Sequence, residues 1–220
     1  MSKELPTVTE QRRLKSPAVT PQALAWDGSV LWMGSRDLRR IYAIDVSKWS
    51  VLEQRESPGI PWAAVATNGS LRFTVGEGTN DDRYIRRFNK KTGFAEEDRI
   101  ACPDFTGSYL SYDGENLHLS QWYKHRILKL DANGKILRVI DAGAEICGHT
   151  FVGNAIYILR GHEQPNEEWR IARLDPARET PEVKDIAVVP FACRSLTFDG
   201  VQFWSNHRAG NEVVSFVLPK

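Results

Sequence analysis

The chain has 220 residues, 41% of them hydrophobic, enough to bury one large core. Its 29 basic and 28 acidic side chains leave a formal net charge of +1, so no global field recruits nucleic acid or an anionic membrane. The opening MSKELPTVTE has no apolar leader core, and no run approaches the ~20 apolar residues that span a bilayer. A cytoplasmic protein with no nucleic-acid or membrane partner is expected. Three cysteines, Cys102, Cys147 and Cys193, are too few and of the wrong parity for a disulfide framework, so reduced thiols are expected.

Along the chain one phrase returns five times: an apolar stretch, an Asx/Gly pair, then a second apolar stretch. It reads ALAWDG at 23–28, AVATNG at 64–69, YLSYDG at 109–114, HTFVGN at 149–154 and SLTFDG at 195–200. A two-residue Asp-Gly or Asn-Gly loop accepts the positive φ angles of a tight hairpin, so each copy predicts one β-hairpin. Measured on Gly28, Gly69, Gly114, Asn154 and Gly200, the steps are 41, 45, 40 and 46 residues, a period that suits a four-stranded propeller blade.

Each unit reads as strands a, b, c and d. Strand c is IYAID at 41–45, IRRFN at 85–89, ILKLD at 127–131, IARLD at 171–175 and VVSFV at 213–217. Strand d falls near 51–55, 95–99, 136–140 and 183–187, and the fifth unit runs out after its strand c. The missing strand is expected from the N-terminus, where VTEQRRLKSP at 8–17 echoes VLEQRESP at 51–58. Pairing the first and last segments in one blade closes the ring and removes open edges. The expected fold is an all-β, five-bladed propeller in a single 1–220 domain. Its blades lie near 18–60, 61–105, 106–146, 147–191 and 192–218, the last completed by 5–17. No helical periodicity survives, and Gly and Pro interrupt every longer run.

The stretch AWDGSVLWMGS at 25–35, continuing to RIYAID at 40–45, is similar to the blade phrase of glutamine cyclotransferases. Residues 18–218 can be laid on the repeat of the wider group that includes streptogramin lyases and NHL-type propellers. Five blades closed by an N-terminal strand resemble the cyclotransferase plan, whereas streptogramin lyases carry seven. The resemblance implies blade architecture. No residue here matches a cyclotransferase catalytic acid or the lyase His/Glu pair, so neither activity is carried over.

Propeller geometry places the b–c loops and d–a connections on one face. These are the varied segments: GSRDLR at 34–39, GEGTNDDR at 76–83, SQWYKH at 120–125, RGHEQPNEE at 160–168 and SNHRAG at 205–210. Function tends to occupy loops held by a rigid scaffold. The starts of strand a surround the channel mouth on that face. With the loops they predict a funnel of ligand-binding residues, Gln22, Arg36, Trp62, Tyr109, Trp122, Arg160 and His207. Its catalytic candidates are Glu77, His149 and Arg194.

Guanidinium forks would take a carboxylate or phosphate, and aromatic walls the remainder of a small ligand. In an acid–base reaction of lyase or cyclisation type, Glu77 or His149 would move the proton while Arg160 or Arg194 neutralises negative charge. The competing reading of His149 is a hydrogen-bonded structural residue. Arg194 needs a carboxylate or a ligand, with Glu77 or Glu163 as the protein candidates.

Cys147 and Cys193 share a register, and with His149 and His207 nearby a divalent metal in the channel is conceivable. The spacing matches no metal motif, and no metal ligands are assigned. His118, Trp26, Trp32 and Trp204 read as blade-packing residues, and Arg12–Arg13, Arg39–Arg40, Arg83 and Arg86–Arg87 as solvated strand faces. The alternative to a small-molecule site is a non-catalytic platform whose loop face, with Trp122 and Tyr123, grips a protein partner. Nothing in the sequence sets an oligomeric state.

Overall fold

The structure, a computed structural model, describes residues 4–219. Residues 1–3 and Lys220, at the two ends of the expected 1–220 domain, lie outside the described residues. Twenty strands form five four-stranded antiparallel sheets arranged as the blades of a propeller.

The chain opens with β1 (Thr9–Lys15). Blade one follows as β2 (Pro21–Trp26), β3 (Leu31–Ser35), β4 (Arg40–Asp45) and β5 (Ser50–Glu56). Blade two is β6 (Ile60–Thr67), β7 (Ser70–Glu77), β8 (Asp82–Asn89) and β9 (Gly93–Ala101). Blade three is β10 (Leu110–Tyr112), β11 (Leu117–Gln121), β12 (Arg126–Leu130) and β13 (Ile136–Asp141). Blade four is β14 (Glu145–Val152), β15 (Ala155–His162), β16 (Glu168–Leu174) and β17 (Lys184–Val189). Blade five is β18 (Arg194–Phe198), β19 (Phe203–His207) and β20 (Glu212–Val217), with β1 as its outermost strand.

Ring closure is the expected one. β1 pairs antiparallel with β20 from Thr9–Val217 to Lys15–Glu212. The same segment also reaches its neighbours. The Val8 amide donates to Val188 O at 2.9 Å in blade four. Arg12 Nη1 and Trp49 Nε1 tie it to blade one through Val46 O and Lys15 O. The N-terminal segment therefore joins three blades, and both ends of the described chain are structural.

The core is divided among the blade interfaces, because each sheet buries one face on the next blade. Leu24, Met33 and Trp204 fill the space between blades five and one, and Trp32, Phe73 and Phe88 that between one and two. Blades two and three meet at Ile85 and Leu119, and blades three and four at Ile140 and Ile158. Trp169, Phe203 and Phe216 lie between four and five. The only helical pieces among the described residues are three short 3-10 turns, and none is long and apolar enough to cross a membrane.

The hairpin turns differ from the expected uniform pattern. Only blades two and four have two-residue loops, closed by the Thr67–Ser70 and Val152–Ala155 pairs. In blades one, three and five the last pairs are Trp26–Leu31, Tyr112–Leu117 and Phe198–Phe203, which leaves four-residue loops. Each of these is organised by its aspartate. Asp27 Oδ1 accepts the Ser29 and Val30 amides at 3.0 and 2.8 Å, and its Oδ2 accepts Trp32 Nε1–H at 2.9 Å. Asp199 does the same for Val201, Gln202 and Trp204.

In blade three the ring is an imidazole: Asp113 Oδ2 lies 3.1 Å from His118 Nε2. Burial opposes ionisation of these carboxyls. Lys90, Trp32 and the turn amides outweigh it and bring Asp27 down to about 2. Asp113 and Asp199 are lowered in the same way by turn amides and ring N–H groups. His118 is 1% exposed, and burial lowers its pKa, so it packs as a neutral ring in a position that blades one and five give to tryptophan.

Candidate functional site at the channel mouth

Strand a of each blade begins at the channel, and irregular pairing there sets which side chains enter it. The pairing of β2, β6 and β14 with the following strands shifts between Pro21 and Ala23, Pro61 and Ala63, and Ile146 and Gly148. Gln22, Trp62 and Cys147 are the extra residues, and in β18 the pairing shifts just after Arg194. A bulge re-aims a side chain that regular pleating would send elsewhere.

A second set comes from the first residue past strand b. In blades one, three and five this is Arg36, Trp122 and Arg208. Of these, Arg36, Trp62, Trp122, Arg194 and Arg208 line a cleft of about 210 Å³ with Arg83, Ser108, Tyr109, Tyr123 and Glu163.

The cleft floor is closed by hydrogen bonds. Gln22 is 1% exposed; its Nε2 donates to Tyr109 Oη at 3.0 Å, and its Oε1 accepts from Arg208 Nη1 at 2.7 Å. Burial raises the Tyr109 phenol well above its ordinary pKa, so it stays protonated. Arg194, 5% exposed, donates to Glu163 Oε1 at 2.6 Å, Glu167 Oε1 at 2.7 Å and Cys193 O at 2.7 Å. Its guanidinium also lies over the rings of Trp122 and Trp169. Burial works against its charge, but the surrounding acidic groups outweigh it and raise the pKa.

On the other wall, Trp62 is flanked by two guanidiniums. Arg83 lies 4.0 Å and Arg36 5.2 Å from its ring centroid, and Trp62 Nε1–H donates to Asp81 Oδ1 at 3.0 Å. Arg83 is itself paired with Asp81 Oδ2 at 2.6 Å.

Two of the four arginines in the cleft are thus compensated. Arg36 and Arg208 have no ion-pair partner: among the described residues no carboxylate lies within 4.0 Å of either, although Glu167 attracts Arg208 from farther away. Burial lowers the Arg208 pKa, and repulsion from Arg194 and Arg36 lowers it further. An anion between these cations would relieve that repulsion.

The structure brings together Gln22, Arg36, Trp62, Tyr109, Trp122 and Arg194, and places four other expected site residues elsewhere. Glu77 forms a two-oxygen pair with Arg86 at 2.7 and 3.0 Å, with Arg99 at 3.3 Å, within blade two. Arg160 binds Asp185 Oδ1 at 2.7 Å and Ala142 O within a separate cleft. His207 meets Glu212 at 2.9 Å and packs on Phe191.

His149 is buried between blades, with Ser111 Oγ 2.7 Å from Nδ1 and Tyr109 O 3.1 Å from Nε2. It holds two inner strands together, the structural alternative to a general base. Arg194 takes Glu163 and Glu167, while Glu77 stays with Arg86.

Sequence reading passed over Arg208, hidden beside the more conspicuous His207, and over Arg83, taken for a solvated strand face. The three cysteines are free and buried; the Cys147 thiol donates to Cys193 O at 2.6 Å. Among the described residues no three His, Cys, Asp or Glu side chains converge as a metal-holding group.

No family model matches the chain, and no curated protein matches it. Solved structures share its fold. Hydrazine synthase from Kuenenia stuttgartiensis aligns at 12% identity and a TM-score of 0.56 over 88% of this chain, which spans 64% of that one. Glutaminyl cyclase from Myxococcus xanthus aligns at 13% identity and 0.52, over 90% of this chain and 72% of the other. Virginiamycin B lyase from Staphylococcus aureus aligns at 15% identity and 0.54, over 93% and 82%. The chain is a five-bladed β-propeller, similar in fold to glutaminyl cyclase and to virginiamycin B lyase.

Proposed function

We propose that this propeller binds a small anionic molecule at the channel mouth. The observation that carries the reading is the pair Arg36 and Arg208, which face one cleft without a carboxylate partner among aromatic walls. Guanidinium forks recognise carboxylate and phosphate, and the flanking rings supply apolar contact. If the ligand is turned over, the acid–base role falls to Glu163, the carboxylate that lines the cleft, with Arg194 beside its Oε1. Three free buried thiols are in keeping with a reducing, cytoplasmic compartment. The protein-docking reading draws on the same loop face, where Tyr123 is 90% exposed; the uncompensated cations favour the small anion.

A thermal-shift titration with inorganic phosphate, sulfate and benzoate tests the proposal. A ligand at ten times its Kd adds about 1.4 kcal/mol, which raises Tm by roughly 3–5 °C in a chain of this size. Arg36→Ala with Arg208→Ala is expected to abolish the shift. No shift with any of these anions in the wild type would overturn the reading.

A further inference from the structure

The cleft at the mouth does not end at its own rim. A second cleft, of about 260 Å³, shares Arg83, Ser108, Trp122 and Tyr123 with it and continues outward between blades two and three to Phe105. The two halves differ in chemistry. The mouth holds the uncompensated Arg36 and Arg208. In the outer cleft every cation is matched, Arg83 by Asp81 and Lys124 by Asp104. What the outer cleft offers instead is aromatic surface: Tyr123 is 90% exposed and Phe105 49%.

The segment that presents Phe105 is held at a conformational expense. Asp104 and Phe105 both have positive φ, +57° and +52°, which is unfavourable for side chains that are not glycine. Several contacts fix them there. Lys124 pairs with Asp104, the Phe105 amide donates to Cys102 O at 2.8 Å, and Gln121 Nε2 donates to Pro103 O at 3.0 Å. The Phe105 ring meets Tyr84 edge-on at 5.9 Å. A strained turn that is over-determined and leaves an aromatic ring half exposed beside a cleft is one that positions a binding surface.

We infer that the ligand is elongated and has two parts: a carboxylate or phosphate head between Arg36 and Arg208, and a flat uncharged body lying over Trp122 and Tyr123 toward Phe105. This inference rests on the anion-binding reading above and adds the class of molecule. A compact anion or a single-ring acid fills only the mouth, whereas a carboxylate or phosphate carried on a longer, biaryl-length body also covers the exposed rings.

Calorimetric titration of the full chain with benzoate and with biphenyl-4-carboxylate tests the inference. Both carry the same head, and only the second reaches the outer cleft. The longer probe is expected to bind about tenfold tighter, the size of an added aromatic contact with its buried area. Tyr123, which borders both clefts, is read through the ratio of the two affinities: Tyr123→Ala should bring that ratio close to one, and Tyr123→Phe should restore it. Because Tyr123 is 90% exposed, its replacement leaves the core intact.

Arg208→Ala should weaken both probes, which places the head at the mouth. Equal affinity for the two probes, or a Tyr123→Ala effect that falls equally on both or on neither, overturns the two-part ligand while the anion site stands. If neither benzoate nor the longer acid binds, the anion-binding reading fails and this inference with it.

Discussion

His149 makes a quantitative prediction because its pKa and its burial point the same way. The ring is 1% exposed; the Tyr109 carbonyl can only accept, so Nε2 carries the proton and Nδ1 accepts from the Ser111 hydroxyl. Burial, aided by nearby His118 and opposed by the Tyr109 carbonyl, takes the pKa from its ordinary 6.5 down to about 3. The unfolded chain therefore binds a proton that the folded chain refuses, and stability falls with pH below 6.5. Linkage with these two pKa values gives a loss of about 2 kcal/mol between pH 7 and pH 5 from this one residue.

The assay is urea unfolding at both pH values for the wild type and for His149→Gln, whose amide can still donate to Tyr109 O. The variant's starting stability does not affect the test, because the readout is the change with pH. The wild type is expected to lose about 2 kcal/mol more than the variant across this interval. His118, also lowered by burial, contributes a slope of the same sign that remains in the variant. Equal losses in the two proteins would refute a buried, neutral His149 and reopen its reading as an accessible base.

Deleting residues 4–15 removes β1 and the ties to blades four, five and one, so calorimetry should show a fall in Tm of roughly 10 °C or more. Asp199→Asn turns an amide N–H toward Trp204 Nε1, which is 2.7 Å from the native oxygen, and should cost about 2–3 kcal/mol in denaturant unfolding. Because the folded pKa of Asp27 is depressed to about 2, its contribution is complete above its ordinary 3.8 and lost as pH falls toward 2. Acid titration of Asp27→Asn should show a shallower loss over that window. Burial pushes the Cys102 and Cys147 thiols up to about 12 and raises Cys193 well above its ordinary value, so a thiol reagent at pH 8 should label none until denaturant is added.

The scaffold was legible because its signals are local: an Asx/Gly pair marks each hairpin, and the echo between 8–17 and 51–58 identifies the closing strand. The site was legible only in part, because it depends on counting residues through turns of unequal length. In the three blades with four-residue turns, the eighth residue past the turn glycine is Arg36, Trp122 or Arg208, and all three line the mouth.

The two-residue turn of blade two advances the register by one. Gly76 then takes that position and Glu77 points the other way, to Arg86. Arg160 and His207 also lie outside the mouth cleft, by strand alternation. Each sits on strand b one place short of the mouth, and alternation sends it into its own blade. A register counted from the end of each turn would have recovered Arg208.

The glycines at that position in the other two blades are part of how the site is made. A Cβ on Gly76 would collide with Asp81 Oδ1, and one on Gly161 with the Glu168 carbonyl. Asp81 is the group that holds Trp62 Nε1 and neutralises Arg83. An arginine in place of Gly76, matching Arg36 and Arg208, would expel that carboxylate and release Arg83 as well.

The mouth therefore carries its free positive charge on blades one and five, while blade two is built to cancel its own. Blade three contributes rings instead of charge at the same position, through Trp122 with Tyr123 beside it. The equivalent position thus carries an unpaired arginine in blades one and five and a ring in blade three, while the two-residue turns of blades two and four put glycine there. That asymmetry is what a ligand with an anionic end and a flat body requires.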